Sequence, residues 1–188
     1  MRLRPAFVLR MAAALAALDA GVQPETARAA EPERDGLTLG ASLGVGVVAR
    51  ESGGLALSLR GGYALTPELV IIAEFERNGL SPEPPSDSTQ SLEALGIYTL
   101  SAQLLTSPRV WLRPGFGVAD AKSVHYEDRS SATATYERAL LPALTFVVGM
   151  DAITFSHGAM EVAFTNCLFL REQEASYRAA FLVGFSYY

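Results

Sequence analysis

Apolar and polar residues alternate along most of the chain after residue 36. From Leu37 to Val47 the odd positions are Leu, Ala or Val, while the even positions are Thr, Gly or Ser. A period of two is typical of a strand with one apolar face and one small or polar face. Similar segments follow near residues 55, 69, 98, 110, 140, 160 and 177. The sequence therefore predicts eight strands.

The connections between these segments differ in length. Tight turns are expected at 66–68, 106–108 and 149–152, a short connection at 51–54, long polar loops at 78–90 and 120–136, and a loop of intermediate length at 166–174. Cys167 and the apolar run 168–170 fall in the last of these, where we expect the run to fold over the mouth of a barrel; a contact with a partner or with lipopolysaccharide is the alternative. Tight turns that alternate with longer polar loops are typical of outer-membrane barrels.

The polar face of the predicted strands carries charged side chains that a dry protein core does not accept. A soluble barrel would turn its apolar face inward and its charged face to water. Here the apolar face is long and nearly free of charge, so we expect it to contact lipid. The charged residues that then point into the lumen are Arg60, Glu74, Glu76, Arg113, Glu161 and Arg178.

The register of the predicted hairpin at 66–68 suggests how these charges are neutralised. If Leu65 pairs with Leu69, then Arg60 lies opposite Glu74 on the neighbouring strand. Glu161 and Arg178 are expected to meet across strands seven and eight, and Arg113 and Glu76 complete a set of three positive and three negative charges. The prediction is an ion-paired plug that fills a narrow barrel; a gated pore is the functional alternative.

The first 29 residues have the features of a secretion signal. Arg2 and Arg4 precede a stretch of mostly Ala, Leu and Val, and Ala27-Arg28-Ala29 fits the small-x-small pattern of signal peptidase. We therefore expect a cleavable signal peptide at 1–29, a short periplasmic segment at 30–36 and a barrel domain at 37–188. A cytosolic amphipathic helix is the alternative interpretation of the first segment.

Composition excludes several other functions. The 188 residues include 20 acidic and 15 basic ones, and Lys122 is the single lysine, so no basic patch for nucleic acid is present. One cysteine excludes an intrachain disulfide and a zinc site with several thiolates. His125 is expected in a loop. Ser156 and His157 are adjacent on predicted strand seven and face opposite sides, so they form no catalytic dyad. We expect no catalytic, cofactor or metal site.

From Leu37 to Tyr188 the sequence resembles the OmpA-like and OmpX-like eight-stranded outer-membrane barrels of Gram-negative bacteria. The resemblance lies in the strand count, the loop asymmetry, the glycine-rich first strand and the closing segment FLVGFSYY. It implies an all-β, antiparallel, up-and-down transmembrane barrel. It also implies that the last strand carries the signal for the barrel-assembly machinery. The residues of that signal are Phe181, Val183, Phe185, Tyr187 and Tyr188.

The sequence thus predicts a non-catalytic, integral outer-membrane barrel with both termini in the periplasm. Its expected partners are outer-membrane lipid and lipopolysaccharide, the assembly machinery during insertion, and an extracellular surface partner. A structural role, or an interaction through loops 78–90 and 120–136, is the leading hypothesis. The alternatives are a channel for small solutes or hydrophobic compounds, a barrel enzyme that modifies lipid A, and a periplasmic ligand binder of the lipocalin type.

Four residues in the predicted strands conflict with the expected strand pattern. Pro114 and Pro142 fall inside strands and lack the amide donor that a closed barrel uses, so they are expected at bulges or near strand ends. Leu95 and Ile97 would point to the polar face if strand four began as early as Leu92. The membrane part of that strand is therefore expected to begin near Tyr98.

Overall fold

In the computed structural model, the described part of the chain is one closed barrel of eight antiparallel strands, in which each strand pairs with the next and the last pairs with the first. The structure describes residue 34 and residues 36–49, 53–79, 90–126, 134–171 and 174–188, so the predicted signal peptide lies outside the described residues. The strands are β1 (Gly36–Val48), β2 (Gly53–Thr66), β3 (Leu69–Gly79), β4 (Gln90–Leu105), β5 (Val110–Tyr126), β6 (Ala134–Phe155), β7 (Gly158–Arg171) and β8 (Glu174–Tyr187).

The two ends of the barrel differ. At one end the connections are residues 67–68, 106–109 and 156–157, and β8 also ends there. We call this the turn end. The opposite end, which we call the loop end, has the connections 49–52, 80–89, 127–133 and 172–173. Within the described residues the predicted eight-stranded, up-and-down barrel is confirmed.

The strands are strongly staggered around the barrel. A path that starts at Thr38 and follows paired residues from strand to strand returns to Val48, ten residues further along β1. A stagger of this kind tilts the strands by about 35–45° from the barrel axis, and eight such strands leave an interior just wide enough for side chains.

The polarity of the barrel is the reverse of that of a soluble protein. The outward row of each strand is apolar and exposed, with Leu43 58%, Leu59 48%, Phe116 63% and Phe181 49% exposed. The inward rows hold the buried charged side chains that the sequence predicted for the lumen. A lipocalin-type arrangement, with apolar residues inside and charges outside, is therefore contradicted by the described strands.

Apolar clusters fill the lumen at several levels. The largest lies near the loop end and contains Val48, Leu92, Leu95, Ile97, Ala119, Ala121, Ala143, Cys167 and Phe169. A second contains Ala56, Trp111, Val147, Ala163, Ala180 and Leu182. A third, next to the turn at 67–68, contains Ala64, Val70 and Ile72. Apolar packing therefore lies on both sides of the charged layer inside the barrel.

The predictions for strand six and for the last loop were wrong. The tight turn expected at 149–152 is absent, because β6 continues to Phe155 with a bulge between Asp151 and Ile153, and the chain reverses at residues 156–157. His157 therefore lies in a turn and not on a strand. Between 166 and 171 the chain is strand, so Cys167 and Phe169 point into the lumen, while Leu168 and Leu170 point outward. The apolar run was misread because both of its faces are apolar, one buried in the lumen and one exposed on the outer wall.

Strands β4 to β6 extend further at the loop end than the loop prediction allowed. β5 continues to Tyr126 and β6 begins at Ala134, so most of the predicted loop 120–136 is a hairpin. β4 begins at Gln90, and Leu95 and Ile97 point to the inward face, where they belong to the loop-end apolar cluster of the lumen. The hairpin was not predicted because its strand segments contain polar residues and lack the apolar alternation. Backbone hydrogen bonds hold these segments together outside the apolar band.

On one side of each proline no ladder pair forms, so the missing amide donor leaves the register unchanged. Pairing between β4 and β5 runs to Ser101 and Gly115 and resumes at Leu104 and Leu112, so the position of Pro114 is skipped without a change of register. Pairing between β6 and β7 begins at Ala143, one residue after Pro142. On the loop-end side of Pro142, β6 therefore pairs with β5 alone. Neither proline lies at a bulge.

Candidate functional site

The first candidate site is the charged layer inside the barrel. All six charged residues that the sequence placed in the lumen are buried there. They form three ion pairs, Arg60 with Glu161, Arg113 with Glu74, and Arg178 with Glu76. Because each carboxylate faces one guanidinium, the layer is electrically neutral, which lowers the high cost of burying charge.

Arg60 on β2 spans the lumen to Glu161 on β7. Its Nη2 lies 2.5 Å from Glu161 Oε1. The guanidinium also donates to Ser42 Oγ at 3.0 Å and to Ser186 Oγ at 2.7 Å. Both serines in turn donate to Glu161, at 3.3 Å and 2.7 Å. The small residue Gly40 makes room for this arrangement, since a Cβ there would lie 2.6 Å from Arg60 Nε.

The other two pairs both involve β3. Arg113 Nη2 lies 2.9 Å from Glu74 Oε2, and Ser58 Oγ donates to the same carboxylate at 2.5 Å. Arg178 pairs with Glu76, and its Nη2 donates to Asn78 Oδ1 at 2.7 Å. β3 therefore supplies two of the three carboxylates, from alternate inward positions.

The predicted register places the charges correctly but assigns the wrong partners. Arg60 does lie opposite Glu74 in the β2–β3 ladder, as predicted, although Leu65 is bulged and Thr66 is the residue that pairs with Leu69. Yet Arg60 pairs with Glu161, and Glu74 pairs with Arg113. The expected contact between Glu161 and Arg178 is absent, because Glu161 faces Gly184 in the ladder. Side chains that cross a narrow lumen reach partners beyond the neighbouring strand.

A further buried group at the turn end was missed by the sequence analysis. Asp151 on β6 is fully buried and pairs with Arg34, which precedes β1. Trp111 Nε1 donates to Asp151 Oδ1 at 3.1 Å, and the Arg34 guanidinium lies 4.6 Å from the centre of the Tyr188 ring. Asp151 was not counted among the inward residues because it fell within the predicted turn at 149–152. A usable signal was that Asp151 lies two residues after Gly149, on the same face of β6, since Gly149 leaves the space that the Trp111 ring occupies.

The second candidate site lies on the outer wall near the loop end. We call it the loop-end charge cluster, and it consists of Arg77, Glu93, Asp120, Lys122 and Arg138. Arg138 holds Asp120 with two hydrogen bonds, at 2.7 Å and 2.6 Å. Lys122 Nζ lies 2.6 Å from Glu93 and 4.7 Å from the centre of the Tyr136 ring. The hydrogen bonds from Arg138 hold the pKa of Asp120 below its ordinary value.

Catalytic chemistry finds little support in the described residues. Ser156 and His157 are both exposed in a turn of two residues. His125 is not in a loop, as predicted, but on β5, where it pairs with Thr135 of β6 and Gln90 of β4. No group of three or more His, Cys, Asp or Glu side chains suited to a metal ion occurs in the described part of the chain. Within the same residues, no helix has the length and apolar character needed to cross a membrane.

The predicted assembly signal forms an apolar ridge on β8. Phe181, Val183, Phe185 and Tyr187 all point outward and are between 45% and 51% exposed. Tyr188 follows the end of β8 and is buried beneath Arg34. The outward row therefore ends at Tyr187, one residue before the end of the sequence.

Comparison with known proteins supports the fold. No family model matches the chain, and no curated protein matches it in sequence. Among solved structures, Neisserial surface protein A superposes with a TM-score of 0.60 at 12% identity, over 81% of this chain and 97% of that one. Ail, the attachment invasion locus protein of Yersinia pestis, was solved with the heparin analogue sucrose octasulfate. It superposes with a TM-score of 0.53 at 14% identity, over 81% of this chain and 98% of that one. Both are eight-stranded outer-membrane β-barrels, and this chain has the same fold.

Proposed function

We propose that this protein is a non-catalytic, integral barrel of the outer membrane, with a structural role or a surface interaction made by its loop end. The observation that carries the proposal is the reversed polarity of the wall. Exposed Leu, Val and Phe side chains cover the outside, and the ion pairs lie inside. In water such a surface would aggregate, whereas lipid accepts it.

The height of the apolar wall fits a bilayer. On β1 the outward row runs from Leu37 to Val47. At about 3.3 Å per residue and a tilt of about 40°, this row spans about 25 Å along the barrel axis. That height matches the apolar band of outer-membrane barrels, about 25 Å. Tyr63, Phe155, Phe185 and Tyr187 lie outward near the turn end, where aromatic side chains favour the level of the lipid headgroups.

The lumen supports a closed barrel over a channel. Charged side chains in its middle section are paired, and apolar clusters lie toward both ends. We therefore assign the structural or surface-interaction role to the outside of the barrel and to its loop end. By this proposal the turn end, with the termini, lies in the periplasm, and the outward residues of β8 are read by the assembly machinery. Membrane lipid and lipopolysaccharide surround the apolar wall.

Fractionation combined with gel mobility tests the proposal. The outer membrane is isolated, and the mobility of the protein is compared with and without boiling. We expect the protein in the membrane fraction, with a band that shifts on boiling, because a closed barrel resists detergent until it is heated. Recovery in the soluble periplasm without a shift would contradict the proposal.

A shortened hairpin tests the surface role. Ala121 and Ala139 face each other in the β5–β6 ladder, so an Asn-Gly turn can join the two strands there. The shortened protein should keep its heat-dependent shift, since the wall below is intact. Cells that express it should adhere less to matrix-coated surfaces than cells that express the complete barrel. Equal adhesion would refute an interaction through this hairpin and leave the structural role.

A further inference from the structure

Among the side chains that the structure describes, the loop-end charge cluster lies on one side of the barrel. The charged residues whose described side chains point to the outside of the strands all belong to it: Arg77, Glu93, Asp120, Lys122 and Arg138. These residues lie on β3 to β6. On β1, β2 and β7 the outward residues remain apolar near the loop end, as at Val47, Leu55 and Leu170. The outward charges of the described side chains therefore lie on β3 to β6.

The cluster has more positive than negative charge and remains accessible. On the outer face three cations accompany two carboxylates, so this face has one positive charge in excess. The exposed Glu137 pairs with Ser123 and lies on the opposite face of the hairpin. The Arg138 side chain is 70% exposed although it holds Asp120, and the Lys122 side chain is 47% exposed next to Glu93. Guanidinium and ammonium groups each have several donors, so both can bind an additional anion without releasing their carboxylate partners.

An open notch with an aromatic base lies beneath these charges. Gly96 is paired with Arg77 on one side and with Asp120 on the other. The three atoms nearest to a Cβ at Gly96 would belong to Phe75, Asp120 and Tyr98, at ordinary contact distances between 3.6 Å and 3.8 Å. The rings of Phe75 and Tyr98 lie directly below, with centroids 4.9 Å apart. The notch thus has apolar rings toward the membrane centre and cations above.

We propose that the loop-end charge cluster binds the phosphate groups of an outer-leaflet glycolipid, with the glycolipid headgroup seated over the Gly96 notch. The inference rests on the proposed function, because it places this rim at the headgroup level of the outer leaflet. Cations at that level attract anionic lipid headgroups. Since the outward charges of the described side chains lie on β3 to β6, the proposed site is on that side of the barrel.

Titration with lipid A tests the proposal. The folded protein in neutral detergent micelles is titrated with bisphosphorylated lipid A and, separately, with dephosphorylated lipid A. We expect tighter binding of the phosphorylated form. The triple variant R77S/K122S/R138S should weaken that binding by about 100-fold, on the basis of about 1 kcal/mol for each cation near an anionic headgroup. Arg109→Ser, in the turn 106–109 at the opposite end, is the matched control and should bind like the wild type.

Each outcome decides the question. Equal binding of the two lipid A forms, or unchanged binding by a triple variant that still shows the heat-dependent shift, would overturn the proposal. If the triple variant fails to fold, Lys122→Gln alone carries the test, with an expected weakening of about fivefold. Inorganic phosphate that binds as tightly as lipid A would identify a site for free anions and would also overturn the lipid assignment.

The same experiments separate this inference from the proposed function. Binding in micelles does not depend on where the protein resides in the cell. A membrane-resident, heat-modifiable barrel whose triple variant binds lipid A normally would refute the glycolipid site alone. A protein recovered from the soluble periplasm would refute the proposed function first.

Discussion

Breaking the ion pair between Arg60 and Glu161 should strongly destabilise the barrel. Both residues are buried, and Nη2 of Arg60 lies 2.5 Å from Oε1 of Glu161. Arg60→Met leaves Glu161 with only the hydroxyl donors of Ser42 and Ser186. Removal of one partner from a buried ion pair typically costs about 3–5 kcal/mol, because the other charge stays buried. We expect a loss of stability of that size for Arg60→Met and for Glu161→Leu.

The double variant R60M/E161L distinguishes pairing from simple loss of packing. With both charges gone, no uncompensated charge remains, so the double variant should be more stable than either single variant. Urea unfolding of the protein in lipid vesicles can follow Trp111, the only tryptophan, which is fully buried in the lumen. Single-variant losses below about 1 kcal/mol that simply add in the double variant would refute the reasoning.

A matched control comes from the exposed pair on the outer wall. Arg138→Met removes the same type of side chain from an ion pair with Asp120, but here the Arg138 side chain is 70% exposed to solvent. Exposed ion pairs contribute little to stability because water screens both charges. The midpoint of unfolding should therefore move far less for Arg138→Met than for Arg60→Met.

Three further predictions concern Gly149, Cys167 and Asp120. Gly149→Ala should destabilise the barrel and shift the emission of Trp111 to longer wavelength, because a Cβ at residue 149 would lie 2.1 Å from the indole. Cys167 is 1% exposed inside the lumen, so a maleimide should label it only after the barrel unfolds in urea. Arg138→Gln should raise the pKa of Asp120 toward its ordinary value, as measured by NMR titration. In the wild type the lowered pKa adds a small stabilisation that is present above the ordinary Asp value and is lost as pH falls through the lowered pKa.

Each of these three predictions has its own control or contrary result. Gly79→Ala should leave stability nearly unchanged, because a Cβ there meets nothing within 4 Å. Ser156→Cys introduces a thiol in an exposed turn and should react in the folded state. Rapid labelling of Cys167 in the folded protein would show that its thiol is accessible, and would place it in an outer loop and not in the lumen. A pKa of Asp120 that is the same in the Arg138→Gln variant as in the wild type would show that the two hydrogen bonds from Arg138 do not form in solution.

The sequence was sufficient for the architecture because the pattern of a barrel is local. A period of two is visible in any strand of about ten residues, and the inward placement of Arg60, Glu74 and Arg178 followed from it directly. The ends of β5, β6 and β7 were not visible in the same way. Beyond the membrane the outward face is polar, and at 168–170 both faces are apolar, so the alternation that marks a strand disappears while the backbone pairing continues.

The ion-pair partners were not predictable, because they depend on the width and stagger of the closed barrel. Register between neighbouring strands can be estimated from a turn, and it placed Arg60 opposite Glu74 correctly. A guanidinium, however, extends several ångströms from its strand and can contact any wall of a narrow lumen. The choice of Glu161 over Glu74 for Arg60 is fixed by the stagger of all eight strands together.

This choice of partners ties the stability of the barrel to its closure. A pair between Arg60 and Glu74 could form within the isolated β2–β3 hairpin, before the rest of the chain has folded. The observed pair joins β2 to β7, and the pair of Arg178 with Glu76 joins β8 to β3. These contacts form only once the first and last strands have met. A partly inserted sheet would expose unpaired charges at its inward face, so the ion pairs penalise open intermediates and stabilise only the closed barrel.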